Sequence, residues 1–304
     1  MTECERIIKD GVLPESFFEE ETRSDFLVTT ERKKIWAIEL DLYLKFAEVC
    51  EKYGFRYFAA FGTILGAVRH KGMIPWDDDV DVCMPREDYD RFCQLAVSDF
   101  QEPYLLQTPY TDNGYYYSFA KIRNVNTTCM PVVMSKSGFC HGICLDVFPL
   151  DFCNLETYEQ DRNEIYNCIM KCSSFMKKNN ENLDEIQQLK LRQYYTNDPL
   201  SEYLKIQKIA SNPLYYNSGY IAVSVNTILK PQQLIWHDSD FSGSLDMPFE
   251  TIKMRLPLGF ENILRKIYGN YMEFPPVQQR GGWHSGVIWN PDVSYKEIIK
   301  SINE

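Results

Sequence analysis

A chain of 304 residues, 44% hydrophobic and 14% aromatic, carries enough apolar material for one large domain or two small ones, which argues against a disordered chain. The formal charge of -11 and an isoelectric point near 5.0 argue against a general nucleic-acid-binding surface but leave room for local basic pockets. No run approaches ~18 apolar residues, so no transmembrane segment is expected, and residues 1–30 lack the apolar stretch of a signal peptide, which points to the cytoplasm and to reduced cysteines.

Residues 1–30 read as an N-terminal arm without a clear element. From 31 to 53, Ile35, Ile38, Leu42, Phe46, Val49 and Tyr53 recur every three or four residues. That spacing predicts a helix, capped by Thr30 and stopped by Gly54. The apolar run 55–61 has no helical period and predicts a strand. Gly62 and Thr63 break it, and 64–70 suits a short helix closed by Gly72. A strand–glycine–helix turn aims backbone N–H groups at its mouth, where an anion also gains ~0.3–1 kcal/mol from the helix dipole. Arg69, His70 and Lys71 follow, either as partners for such an anion or as a solvated helix end.

The next stretch places Asp77, Asp78, Asp79 and Asp81 within five positions. Two carboxylates at ~4 Å oppose each other by roughly 4 kcal/mol at an effective dielectric near 20. A fold keeps such a group buried only beside positive charge, most simply a divalent metal. Residues 79–83 alternate as a half-buried strand should, so Asp79 and Asp81 are expected on one face, with Val80 and Val82 in the core. Asp77 shares that parity if the strand reaches it. Asp78 is expected to point away, as a cap or a bystander. A solvated acidic loop is the plainer alternative, but it has no need of the alternation.

A helix is predicted over 85–100, and strands over 104–107 and 115–123 around the turn Thr111-Asp-Asn-Gly114. Lys121 and Arg123 share one face of the second strand, toward phosphates or toward water. Residues 143–148 alternate again: Ile143, Leu145 and Val147 on one side, Cys144, Asp146 and Phe148 on the other, with Pro149 closing the strand. Asp146 is a lone carboxylate in an apolar strand and needs a metal, a cation or solvent; an edge or capping position is the alternative. Residues 155–211 read as polar helices, an inserted layer without site chemistry. Residues 221–229 suit a strand or a buried helix, 249–256 carries Lys253 and Arg255 at strand spacing, and 257–268 reads as a helix ended by Gly269. A Pro- and Gly-rich loop with Arg280 and His284 follows. Cys140, Cys144, Cys168, Cys172 and His141 allow a structural zinc, but no CxxC pair occurs, and the spacing of Cys168 and Cys172 suits thiols packed on a helix.

The motif Gly62-Thr-x-Leu-Gly-Ala-x-Arg-His-x-Gly-x-Ile-Pro-Trp-Asp-x-Asp-Val-Asp-x-x-Met-Pro-Arg-x-Asp-Tyr89 resembles the signature of the LicD family. Lys121-Ile-Arg123, Leu145-Asp-Val-Phe-Pro-Leu-Asp151, and Tyr268-Gly-x-Tyr-Met272 followed by Pro275, Pro276, Arg280 and His284 extend the resemblance over most of 31–290. It implies an α+β, nucleotidyltransferase fold of DNA polymerase beta type: a mixed sheet with flanking helices plus a helical insertion. The implied division is an arm (1–30), a catalytic core (31–154), an insertion (155–215) and a C-terminal part completing the site (216–304). It also implies transfer of phosphocholine, or a similar alcohol phosphate, from a CDP-alcohol donor to a glycan or glycolipid hydroxyl, with release of CMP. No nucleic-acid partner is implied.

By position, Asp79 and Asp81 match the family's metal-binding pair and Asp77 the first acid of its run. Mg²⁺ or Mn²⁺ is the expected ion. Asp146 matches the third acid, as general base. Gly62 and Thr63 are expected to hold donor phosphate, with Arg69, Lys121, Arg123, Arg280 and His284 as further donor or acceptor contacts. The competing readings are a glycosyltransferase of Asp-x-Asp type using a nucleotide sugar, and a catalytically inactive metal- or nucleotide-binding module.

Overall fold

The computed structural model describes residues 1–180, 183–281 and 286–303. Helix α1 (Glu3–Lys9) opens with a capping box, in which Thr2 and Glu5 each take the other's backbone N–H. A short hairpin follows, β1 (Glu21–Arg23) and β2 (Phe26–Val28). The segment expected as an N-terminal arm thus carries regular elements and is tied to the rest of the chain. Glu3 accepts from Asn124 and Asn126, Arg6 reaches Asp41, and Arg23 makes a two-pronged pair with Glu250.

Helix α2 (Thr30–Tyr53) forms where the periodicity places it, but Thr29 rather than Thr30 is its cap, with a hydroxyl that accepts from the Arg32 N–H at 3.3 Å. Thr30 instead donates to the Phe18 carbonyl. Gly54 ends the helix at φ +70°, a left-handed conformation that favours glycine. All residues from 35 to 43 are buried. The helix packs on the sheet with one face, and α1 covers another, so the stripe that marks it in the sequence understates its burial.

Strand β3 (Phe58–Ala59), shorter than the apolar run suggests, leads into α3 (Phe61–Leu65) and a π-helical turn at Gly66–His70. Strand β4 (Asp81–Pro85) and α4 (Arg86–Leu95) follow, then the hairpin of β5 (Tyr104–Gln107) and β6 (Ala120–Asn124), then β7 (Thr128–Pro131) and β8 (Ile143–Phe152). β8 is the spine of a seven-stranded mixed sheet. It runs parallel to β4 on one side; on the other it pairs antiparallel with β6 near its start and with β9 (Tyr220–Ala222) near its end. β3 lies outside β4, and β10 (Ile235–His237) outside β9. Ile143, Leu145 and Val147 are fully buried, as their alternation requires. Pro149 does not close the strand. It lies opposite Met84, between the last residue paired to β6 (Val147) and the first paired to β9 (Asp151), where a missing N–H breaks no ladder bond on that side.

The insertion consists of α5 (Tyr158–Lys177), α6 (Glu185–Gln193) and α7 (Pro199–Ala210), with α5 packed on α7. Cys168 and Cys172 are buried on α5, and the Cys172 thiol donates to the Pro199 carbonyl at 3.5 Å. The remaining elements are the hairpin of β11 (Ser244–Phe249) and β12 (Ile252–Pro257), helix α8 (Phe260–Tyr268), strand β13 (Val287–Asn290) paired to β7, and α9 (Tyr295–Asn303). Neither β13 nor α9 is among the elements expected from the sequence, although Tyr295, Ile298, Ile299 and Ile302 recur at helical spacing. No helix among the described residues is long and apolar enough to cross a membrane.

Candidate active site at the head of strand β4

The site begins where β3 turns into α3. Phe61 has φ +43°, which costs of order 1–3 kcal/mol in a residue with a side chain, and its ring is held edge-on against Phe148 at 5.4 Å. The Thr63 hydroxyl accepts from the Asp81 N–H at 2.8 Å, and the Ala60 N–H donates to the Asp81 carbonyl at 2.9 Å. Thr63 thus ties α3 to the first residue of β4. A Cβ at Gly62 would stand 3.0 Å from Asp77 Oδ2, so glycine lets the acidic loop approach. Helix α2 holds that loop from beneath: Arg32 and Trp36 both donate to the Asp77 carbonyl, at 2.8 and 3.0 Å.

The strand expected from residue 79 starts at Asp81. Residues 77–80 are irregular, yet burial alternates as parity requires: Asp77, Asp79 and Asp81 are partly exposed, and Asp78 and Val80 are buried. Asp77 lines a cavity of about 590 Å³ with Gly62, Arg69, Trp76 and Tyr268. Asp79 lines a second cavity, about 150 Å³, with Lys121, Arg123 and Asp146. Asp78 does not point away as a bystander. It is 2% exposed, and its charge stabilises the Arg32 guanidinium against burial. Asp77, Asp78 and Asp79 bring carboxyl oxygens within 4.8 Å of one another, and they are the one metal-compatible group of three or more His, Cys, Asp or Glu among the described residues.

Asp81 sits where three strands meet. Its register partner on β8 is Asp146, and the partner of Asp146 on β6 is Lys121. The Lys121 ammonium donates to Asp146 Oδ1 at 2.5 Å. Burial pushes the carboxyl groups of Asp79 and Asp81 well above the usual range, and repulsion adds to it, first from Asp81 on Asp79 and from Asp146 on Asp81. Burial works against the charge of Lys121, but the neighbouring Asp146 outweighs it and keeps the ammonium charged. A cation placed among the acids would relieve this repulsion, and their oxygen-only donor set suits a hard divalent ion.

Glu39 is a component that sequence reasoning missed. It lies mid-way along α2, 1% exposed, on the wall of the smaller cavity, and its Oε2 has no hydrogen-bond partner among the described residues. Burial, then the charges of Asp79 and Asp78, push its carboxyl well above the usual range. A glutamate inside an apolar stretch was the available signal. Tyr268, which closes α8, is a second omission. Burial raises its phenol, and Asp77, Asp81 and Asp79 add to the shift.

The basic residues expected at the site divide. Arg69 lines the larger cavity, yet it donates from Nη1 to the carbonyls of Tyr271 and Glu273 and from Nε to His70. Burial and the neighbouring Arg69 bring His70 down to about 4, so it is neutral and accepts. Arg280 donates to the carbonyls of Pro275 and Ser24 and stacks on Trp76 at 5.0 Å, bracing the cavity wall. Arg123 reaches the smaller cavity, with Nε on Gln107 Oε1 and Nη1 on the Gly142 carbonyl. His284 lies outside the described residues. All ten cysteines are free. Cys144 lines the smaller cavity, and a hydrogen bond from Cys129, against burial, lowers its thiol to about 6, with help from Arg123 and Lys121.

Residues 54–199 match the family model described as LicD/FKTN/FKRP, nucleotidyltransferase domain. Over these residues the chain is similar to the LicD family. The match runs from Gly54, the cap that ends α2, to the first residue of α7 and contains Gly62, the four aspartates, Lys121 and Asp146. It leaves out Glu39 on one side, and Tyr268 and Arg280 on the other. Over 251 residues the chain is 27% identical to a protein of Haemophilus influenzae named lipopolysaccharide cholinephosphotransferase LicD, covering 79% of this chain and 90% of that one. It is also 34% identical over 123 residues to an uncharacterized Rickettsia typhi protein, covering 39% of this chain and 34% of the other.

Proposed function

We propose that this chain is a LicD-family transferase with a nucleotidyltransferase fold. It moves phosphocholine, or a similar alcohol phosphate, from a CDP-alcohol to a glycan hydroxyl of lipopolysaccharide or a teichoic-acid-like acceptor, with CMP as the leaving group. The observation that carries the reading is the line Asp81–Asp146–Lys121 across three strands, beside the Gly62 turn. The similarity to a cholinephosphotransferase supports the choice of group. A cytoplasmic setting, where thiols stay reduced, accords with ten free cysteines.

Asp77, Asp79 and Asp81 would hold Mg²⁺ or Mn²⁺, with Asp78 close enough to contribute. When bound, the ion supplies charge neutralisation for the donor diphosphate. Asp146 accepts the proton of the attacking glycan hydroxyl, whose oxygen forms the new P–O bond as the bond to CMP breaks. Lys121 fixes the Asp146 carboxylate in place and adds positive charge near the transferring phosphoryl group. The α3 turn at Gly62 and Thr63, with Arg69, accommodates donor phosphate in the larger cavity, and Tyr268 and Trp76 wall it. Arg280 belongs to the segment that completes that wall.

The test incubates the purified chain with Mg²⁺ or Mn²⁺, a panel of CDP-alcohols and glycan acceptors, and measures CMP. Metal-dependent CMP formation from CDP-choline that requires acceptor is expected. Turnover of nucleotide sugars alone would replace this reading with a glycosyltransferase. Metal binding without turnover of any nucleotide would leave a binding module.

A further inference from the structure

The smaller cavity has a composition that phosphate chemistry does not call for. At about 150 Å³ it has room for roughly five waters at ~30 Å³ each, too little for a nucleotide. Two of its walls are the rings of Tyr117 and Phe139, set at 89° to one another with centroids 6.5 Å apart, so that they form a corner. Trp289 of β13 lines it as well. Glu39, almost fully buried, faces this space with an oxygen that meets no donor among the described residues. Of its three carboxyl groups, Asp79 belongs to the proposed metal set and Asp146 is paired with Lys121, which leaves Glu39 without an ion-pair partner among the described residues. Lys121 is engaged with Asp146, and Arg123 with Gln107 and Gly142. A small monocation with an apolar surface would give the buried Glu39 a counter-charge and pack against the ring walls. A quaternary ammonium is such a group, since it offers no N–H and is held by ring quadrupoles and a nearby carboxylate.

We infer that the cavity bounded by Glu39, Tyr117, Phe139 and Trp289 is the subsite for the trimethylammonium end of the transferred group, and that it sets the preference for choline over less methylated alcohols. The inference rests on the reading that an alcohol phosphate is transferred from a CDP carrier. It assigns work to Glu39 and Trp289, both outside the residues that the family model matches. It also places the head group next to Asp146 and the nucleotide on the far side of the acid loop, in the cavity large enough for it.

The experiment measures kcat and KM for CMP release from CDP-choline and from CDP-ethanolamine, in the parent chain and in Trp289→Leu, Glu39→Gln and Phe274→Leu. Phe274 lies on the wall of the larger cavity. Thermal melting establishes that each variant is folded, and Trp289→Leu stands alone if Glu39→Gln is not. Trp289→Leu is expected to raise KM for CDP-choline by about tenfold, change kcat little, and reduce the preference over CDP-ethanolamine. Glu39→Gln is expected to raise KM for both donors. If the parent uses CDP-choline but Trp289→Leu and Glu39→Gln leave the preference and both KM values unchanged, the subsite is wrong and the transferase reading stands. If only Phe274→Leu reduces the preference, the ammonium lies in the larger cavity and the inference is overturned. If the parent releases CMP from no CDP-alcohol, the transferase reading itself fails.

Discussion

The two cavities beside the acid loop are built by different means. The larger one is walled by α3, by the end of α8 and by the loop after it, and its arginines are held by backbone carbonyls: Arg69 by Tyr271 and Glu273, Arg280 by Pro275 and Ser24. The smaller one is walled by α2 and by β6, β7, β8 and β13, and its charges meet side chain to side chain, with Lys121 on Asp146 and Arg123 on Gln107. Carbonyl-held cations keep their full charge for a ligand, as Arg123 on Gly142 does in the smaller cavity too, whereas the Lys121–Asp146 pair neutralises itself. The chain thus lines two spaces on either side of a single run of aspartates, one beside the carbonyl-held Arg69 and Arg280 and one with a salt-bridged pair beside a buried glutamate.

The largest effect should come from Asp81, which follows the acid loop that separates the cavities and pairs with Asp146 across the sheet. Asp81→Asn is expected to lower CMP release by 10³-fold or more while leaving the chain folded. Because it removes one of several mutually repelling buried carboxyls, it should also raise the melting temperature of the metal-free protein. A normal rate in this variant would separate the acids from the chemistry. Lys121→Met attacks only the smaller cavity and leaves Asp146 without its partner; a fall in kcat of about 10²-fold is expected, larger than any change in donor KM. A pure KM effect would place Lys121 on the donor rather than on Asp146.

Acid should also tell the two sides apart, because each has a histidine held neutral. Burial and the nearby Arg123 bring His141, on the smaller cavity, to about 3, and His70, beside the larger, stands at about 4. Both folded values lie below the unfolded one near 6.5. Between these limits the unfolded chain binds more protons, so each histidine contributes stability that is present above pH 6.5 and lost as the pH falls toward 4. The loss is about 2 kcal/mol by pH 5 for the buried His141 and less for the half-buried His70, where solvent screens the charge. The raised carboxyls of Glu39, Asp79 and Asp81 act in the opposite sense, since they bind protons more readily in the folded chain. The readout is therefore a difference: urea midpoints of His141→Gln should fall less between pH 7 and 5 than those of the parent, and an equal fall would show that His141 charges freely in the fold. The smallest effect is expected for Arg280→Met, which loosens the wall of the larger cavity; donor KM should rise a few-fold with kcat unchanged.

Much of this was legible from local pattern. The periodicity of 31–53, the alternation at 143–147 and the hairpin of β5 and β6 all report which side of an element meets the core, and that information is carried by neighbours a few positions away. The acids, Lys121 and the LicD resemblance were equally visible. What failed depended on distant partners. Asp78 passed for a bystander, because the Arg32 guanidinium that its charge stabilises lies on α2. Pro149 was misread as a stop because the gap between β6 and β9 is a property of the sheet, not of the strand. The N-terminal segment passed for an arm, since its anchors, Asn124, Asp41 and Glu250, lie far along the chain.

The sequence by itself determined the inventory: an α+β chain with a glycine turn, a run of aspartates, a later carboxylate and cations to match. Side-chain chemistry and local period suffice for that. The tertiary structure alone decided the arrangement. Strand register sets Asp81 beside Asp146 and Asp146 beside Lys121. Helix packing buries Glu39 against Asp79 and leaves one of its oxygens facing a cavity. Distances between groups remote in the chain follow from register and packing, and no local period encodes them.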